Sequence, residues 1–183
     1  MSSAYDAVVI GGGPGGAATA SYLARAGRRV LVLEKERFPR FKIGESLLPY
    51  SRAILEELGV WPKLQGLGFP VKRGAQFHLG NGSKSLKFVF AEGRFTRHTE
   101  ILQVERALFD EMLLNHAAEL GAEVRHGWTV NRVENHCEGH RVLASSDRGG
   151  SVELQARFVI DTSGRANLTG NQEGVREFHP RHR

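Results

Sequence analysis

The chain has 183 residues, with 25 Lys+Arg against 20 Asp+Glu and a formal charge of +5. That is long enough for one domain with a proper core. It carries neither a signal-peptide-like start nor an apolar run that spans a bilayer, so a cytoplasmic protein without a membrane partner is expected. The positive charge suits an anionic cofactor or substrate, but it is scattered apart from a cluster at His179–Arg183. No basic stripe is interleaved with aromatics, which excludes a nucleic-acid footprint.

In chain order, an apolar strand over about 5–10 runs into Gly11-Gly12-Gly13-Pro14-Gly15-Gly16. An alanine-rich helix over about 14–26 follows and ends at Gly27. A second apolar strand over about 29–33 stops at Glu34. Strand, glycine turn, helix, strand and acid, with the acid about 20 residues after the glycines, are the parts of a dinucleotide-binding unit. Gly11 permits the tight turn, Gly13 lets the backbone approach a pyrophosphate, and Gly16 lets the helix pack on the strand. The helix N-terminus offers free N–H groups to phosphates, and Glu34 is placed to accept ribose hydroxyls.

A loop is expected through 38–44, then a helix that begins near Ser46 or Leu47 and runs to Gly59. The Gly- and Pro-containing stretch 60–70 reads as loop. Two strands, 72–79 and 85–90, flank Gly80-Asn81-Gly82-Ser83, in which Asn81-Gly82 signals a hairpin. Apolar residues at helical spacing (Leu108, Met112, Leu113, Ala117, Leu120) predict a helix over 105–120, closed by Gly121. Three or four strands follow, one over about 123–130 and one over 141–145. Val152, Leu154, Ala156, Phe158 and Ile160 alternate as in half-buried strands before Asp161-Thr162-Ser163-Gly164. The only cysteine, Cys137, precludes an intrachain disulfide and a cysteine zinc cluster and reads as a semi-buried small residue. His136 and His140 lie in a polar turn, and no metal site is expected. This order predicts an α/β Rossmann-like fold, a mostly parallel sheet with an antiparallel β insertion at about 71–91. The turn at 161–164 falls where ligands of open α/β sheets bind.

Five strings carry a family resemblance: the glycine run 11–16; Phe38-Pro39-Arg40-Phe41-Lys42-Ile43-Gly44-Glu45-Ser46-Leu47-Leu48-Pro49; Gly68-Phe69-Pro70-Val71-Lys72-Arg73-Gly74-Ala75; Gln103-Val104-Glu105-Arg106 with Phe109-Asp110; and Asp161-Thr162-Ser163-Gly164-Arg165. On these the chain resembles the flavin-dependent halogenases, within the FAD-dependent monooxygenases and geranylgeranyl-reductase-like flavoproteins. The likeness is greatest to the branch acting on phenolic, pyrrolic or carrier-bound substrates.

The resemblance implies an FAD-binding oxidoreductase supplied with reduced FAD by a separate flavin reductase. Dioxygen and a halide ion then give hypohalous acid, which meets a lysine beside an aromatic or carrier-protein-bound substrate. That lysine is Lys72, whose ammonium can hydrogen-bond hypohalous acid or, once deprotonated, be chlorinated; a solvated lysine at a strand start is the alternative. The implied FAD contacts are Gly11, Gly13, Pro14, Gly15, Gly16, Glu34, Lys35, Glu45, Ser46, Arg106, Val130, Asp161 and Gly164. Of these, Glu45 and Ser46 mark a helix start, and Ser46 is equally a helix cap. Arg106 supports the phosphates or ribose, or is an exposed helix charge. Val130 touches adenine through its backbone, or is a core valine. Gly164 contacts the flavin or shapes an ordinary turn. Family members continue past a later Gly-Asp motif and a Trp-x-Trp-x-Ile-Pro segment, neither of which occurs here. The expectation is therefore the N-terminal, FAD-binding part of such an enzyme, without its substrate domain. A hydroxylase or double-bond reductase of the same fold, and a non-catalytic nucleotide-binding fragment, are the other readings. Weak FAD affinity dominated by the adenine end follows for this chain alone.

Overall fold

A computed structural model describes residues 5–80, 82, 84–94 and 97–177. The basic cluster at 179–183 and Asn81 lie outside these residues. The elements are β1 (Tyr5–Ile10), α1 (Pro14–Arg25), β2 (Val30–Glu34), α2 (Tyr50–Glu57), α3 (Trp61–Gly66), β3 (Val71–Lys72), β4 (Gly74–His78), β5 (Ser85–Val89) and β6 (Ile101–Leu102). They continue with α4 (Arg106–Glu119), β7 (Glu123–His126), β8 (Trp128–His136), β9 (Gly139–Ser146), β10 (Ser151–Asp161) and α5 (Leu168–Gln172). The chain divides into two compact units, one of residues 1–40 and 110–183 and one of 41–109.

The first unit is built on a six-stranded sheet in the order β7-β2-β1-β10-β9-β8. β7, β2, β1 and β10 are parallel. β9 and β8 are antiparallel, so the sheet is α/β with an antiparallel extension. β2 is buried along its whole length, which is why Val30-Leu31-Val32-Leu33 reads as a continuous apolar run. β10 belongs to both regimes. Its first half pairs antiparallel with β9, from Ser151 opposite Ser145 to Ala156 opposite His140. Its second half pairs parallel with β1, ending at Ile10 opposite Asp161. One core joins Val8, Ile10, Leu31 and Leu33 of the parallel strands to Val130, Val133, Val142, Ala144, Leu154 and Ala156 of the antiparallel ones. The even-position alternation therefore holds for Leu154 and Ala156 but lapses at Phe158, which is 57% exposed, where β10 changes partners.

The expected strand over 123–130 is two strands. Gly127 sits between them at φ +74°. β7 leaves it to pair with β2, and β8 to pair with β9. Cys137, expected half-buried, is exposed at the β8–β9 turn, because the hairpin carries it beyond the core. Among the described residues no cluster of His, Cys, Asp and Glu is placed to hold a metal. No helix of the described residues is long and apolar enough to cross a membrane.

The second unit holds α2, α3 and two small two-stranded sheets, β3-β6 and β4-β5. α2 begins at Tyr50, with Pro49 at its N-cap, not at Ser46. A residue before proline is driven out of helical conformation, so Leu48 cannot belong to the helix. Stretch 60–70, expected as loop, contains α3, in which Pro62 occupies the first turn, a position helices accept. Trp61 and Leu64 are buried there beside Leu55 and Leu58 of the preceding segment. The strand expected over 72–79 breaks at Arg73 into β3 and β4. The β4–β5 hairpin forms as expected, with Phe77 and Phe88 edge-to-face at 5.7 Å on an exposed apolar face.

Candidate functional site

In the first unit the C-terminal ends of β1, β2 and β10 converge on the glycine loop. Gly11 adopts φ +98°, and a Cβ there would lie 2.7 Å from the Thr162 carbonyl oxygen. A Cβ on Gly16 would run into the Gly11 carbonyl and approach Thr162 Oγ1 to 2.7 Å. Only glycine permits this approach of helix to strand. Thr162 braces the loop, its Oγ1 within 2.8 Å of the Ile10 carbonyl oxygen and 2.9 Å of that of Gly11. Gly13 is the N-cap of α1, with no side-chain capping bond, Pro14 in the first turn and no acidic residue there. The positive end of the helix is thus left for an anion.

Glu34 is 4% exposed. Its Oε2 accepts from the Gly12 N–H at 2.6 Å and its Oε1 from the Glu36 N–H at 2.8 Å. Each carboxylate oxygen can accept a second bond, so ribose hydroxyls remain possible partners. Arg40, singled out by nothing in the pattern beyond its string, reaches the same place. Its Nη1 donates to Asp110 Oδ2 at 2.9 Å, and its Nη2 lies 3.8 Å from Glu34 Oε2. Its Nε is 3.4 Å from Glu36 Oε2. The guanidinium stands 4.3 Å over the Phe38 ring. Nη2 would be 3.7 Å from a Cβ on Gly13, which places a cation beside the loop. Lys35 is exposed, as is Gly15.

Val130 is buried in the core. It pairs with Ala144 next to a bulge that separates it from Arg132. Asp161 spends its carboxylate on its own turn: Oδ1 accepts from the Ser163 N–H at 2.9 Å, and Oδ2 from the Thr169 N–H at 2.8 Å and the Thr169 hydroxyl at 2.7 Å. Partial burial pushes this carboxyl up, but the bonds from Ser163 and Thr169 outweigh that and hold it below the usual carboxylate range. Gly164, at φ +63°, is exposed and starts a short 3-10 turn.

In the second unit, Lys72 Nζ donates to Ser46 Oγ at 2.6 Å and to the Leu47 carbonyl at 3.0 Å. It also lies 5.2 Å from the Phe90 ring centre. Two of its three N–H donors are used, and one is left for a further acceptor. Ser46 is not a helix cap: it forms an isolated antiparallel bridge with Gln103. The Glu45 carbonyl accepts from the Val104 N–H at 2.9 Å, so Glu45 and Ser46 form an extended ledge. Arg106, the first residue of α4, donates from Nη1 to the Ile43 carbonyl at 2.9 Å. It fixes the turn at Gly44, whose φ is +110°. Residues 41–46 and Gln103 line one open groove.

A family model for the FAD binding domain matches residues 4–182. The chain belongs to the FAD-binding domain family. This FAD-binding domain is 38% identical over 197 residues to the 1H-pyrrole-2-carbonyl-(peptidyl-carrier protein) chlorinase of Pseudomonas fluorescens, covering 96% of the chain and 43% of the relative. It superposes on the myxobacterial chondrochloren halogenase CndH with a TM-score of 0.81 at 40% identity, covering 88% of the chain and 38% of that structure. It superposes on a flavoprotein/dehydrogenase from Cytophaga hutchinsonii with a TM-score of 0.88 at 32% identity, covering 96% and 43%. The domain thus spans less than half the length of these relatives.

The residues present fit the diphosphate end of FAD. The uncapped α1 N-terminus, with no acid in its first turn, offers N–H donors to a diphosphate next to a buried acid at the end of β2, while the Arg40 guanidinium beside Gly13 is already matched by Asp110, Glu36 and Glu34.

Proposed function

We propose that the protein acts as a flavin-dependent halogenase. It takes reduced FAD from a separate flavin reductase and uses dioxygen and a halide ion to halogenate an aromatic substrate that is phenolic, pyrrolic or carrier-bound. The observation that carries this reading is the pairing of Lys72 with the Gly44–Pro49 string: Nζ rests on Ser46 Oγ at 2.6 Å and on the Leu47 carbonyl. The likeness to the pyrrolyl-carrier chlorinase supports the carrier-bound substrate class.

FAD, when bound, supplies the reaction of dioxygen. The residues of this chain do the rest. The α1 N-terminus, Gly11, Gly13, Pro14, Gly15 and Gly16 receive the diphosphate, and Glu34 takes the ribose. Lys35, Val130 and Gly164 are the further FAD contacts proposed within the first unit, where Asp161 holds the turn that carries Gly164; Glu45, Ser46 and Arg106 are the contacts proposed within the second. Lys72 offers the hydrogen-bond donor that orients hypohalous acid, with Ser46 and Leu47 fixing where that donor points.

The whole protein, given FAD, a flavin reductase, NADH, bromide or chloride and an aromatic acceptor, yields a halogenated product by mass spectrometry. Lys72→Ala abolishes the product while reduced FAD is still oxidised. Turnover without halide excludes the reading. The second reading, a hydroxylase or double-bond reductase of the same fold, is favoured by the likeness to the flavoprotein/dehydrogenase; it requires Lys72→Ala to keep full activity.

A further inference from the structure

α5 is a five-residue helix that buries no residue of its own and whose N-cap residue, Asn167, makes no side-chain capping bond, yet it is tied at both ends to strands of the first unit. At its start, Thr169 gives both its N–H and its hydroxyl to Asp161 Oδ2 at the end of β10. At its end, the Gln172 amide closes on the backbone of β8: Val133 N–H donates to Gln172 Oε1 at 3.0 Å, and Gln172 Nε2 donates to the Val133 carbonyl at 2.5 Å. An amide that satisfies both backbone groups of one residue does what a neighbouring strand would do. Among the described residues β8 is the edge of the sheet, paired with β9 alone. Val133 lies just past the bulge that follows Val130, where Asn131 leaves the ladder and donates to Ser145 Oγ at 3.0 Å. Bulges re-aim the backbone beside them, so whatever fixes Val133 fixes the far side of the bend that presents Val130.

We infer that α5 is a positioning strap, in which Asp161–Thr169 and Gln172–Val133 lock the turn at 162–164 to the β8 segment carrying Val130, and that Asp161 serves the cofactor through this strap and not by touching it. Both Asp161 oxygens bond within its own turn: Oδ1 accepts from the Ser163 N–H, and Oδ2 is filled by two groups of Thr169. The same turn carries Thr162, whose hydroxyl braces the Gly11 loop. The strap therefore acts on two of the proposed contacts at once: the turn after β10, and the backbone of Val130. This rests on the FAD-binding reading, and one of its consequences does not.

The test compares the wild-type chain with Gln172→Leu, Thr169→Val and Thr169→Ser. Amide hydrogen exchange needs no cofactor. Gln172→Leu lowers the protection of the Val133 amide by about tenfold, the scale of a lost hydrogen-bond pair, while β1 and β2 amides keep theirs. Unchanged protection at Val133 overturns the inference. Titration with FAD and ADP then reads positioning: Thr169→Val weakens FAD by several-fold, and Thr169→Ser, which keeps the hydroxyl, restores wild-type affinity. A fall in melting temperature in both Thr169 variants with no change in FAD affinity assigns α5 a purely structural role and also overturns it. Wild-type chain that binds neither FAD nor ADP removes the cofactor reading, and the exchange result at Val133 then decides the strap by itself.

Discussion

Arg40 and Asp110 form an ion pair at 2.9 Å, with side chains 9% and 0% exposed. Seventy residues apart in sequence, they fasten the loop after β2 to α4. Two carboxylates, Glu34 and Glu36, lie within 4 Å of the same guanidinium. A pair of this kind adds little against a well-packed apolar pair, but removing one partner leaves the other charge buried with fewer counter-charges. Asp110→Ala is expected to cost less than the ~3–5 kcal/mol of a fully stranded charge, because Glu34 and Glu36 still face the guanidinium. Arg40→Met with Asp110→Leu is expected to cost less than either single change. Urea unfolding at constant m-value checks both.

Gly15 and Gly16 are neighbours with opposite environments. A Cβ on Gly15 meets nothing within 4 Å, whereas one on Gly16 strikes the Gly11 carbonyl. Gly15→Ala is expected to stabilise the fold by about 0.5 kcal/mol through the unfolded chain. Gly16→Ala is expected to cost about 1–3 kcal/mol by overpacking and to abolish nucleotide binding. Thermal unfolding with and without ADP separates the two.

Asp161 makes stability depend on acid. Its carboxyl is held below the usual range in the folded chain, so the unfolded chain takes up the proton first as pH falls. The contribution is complete above the unfolded value of about 3.9 and fades as pH drops through the lower folded value. Asp161→Asn is therefore destabilising at pH 7, and its gap to wild type narrows below about pH 4. Melting temperatures of both proteins followed downward from about pH 7 into acid measure that gap; a constant gap contradicts it.

Ser46 holds Lys72 without being the reacting group of the proposed halogenase. Ser46→Ala removes the 2.6 Å acceptor and leaves the Leu47 carbonyl. Product formation in the whole protein is expected to fall by about tenfold, since a bond to a charged donor is worth about 1.5–3 kcal/mol and part of it is retained. Oxidation of reduced FAD is expected to fall less than product formation. Halogenated product counted per flavin oxidised gives the answer.

The βαβ unit was readable from sequence because its determinants are local. The glycine run, the alternation of apolar strand and alanine-rich helix, and Glu34 all fall within thirty-odd residues, and each element answers to its own pattern. α3 was not readable, since Pro62 and the glycines after it look like loop punctuation, while Pro62 in fact occupies a helix's first turn. The β7–β8 break hides behind apolar alternation that continues across Gly127; only its positive φ and the two different partner strands reveal it. Arg40, Asp110 and Gln172 were missed for another reason. Their roles depend on partners 39 to 70 residues away, and nothing in a local window marks them.

β10 imposes an order on synthesis. Ile10 pairs early with Leu33, but its partner on the other side is Asp161, about 150 residues later, and Thr162 must arrive before the Gly11 loop is braced. Such distant pairing is slow to close. While the ribosome is still making the middle of the chain, β1 has β2 on one side and a bare apolar edge on the other. That edge is a hazard for as long as translation lasts. A nascent chain that stops short of residue 162 holds the fingerprint glycines without the strand that braces them.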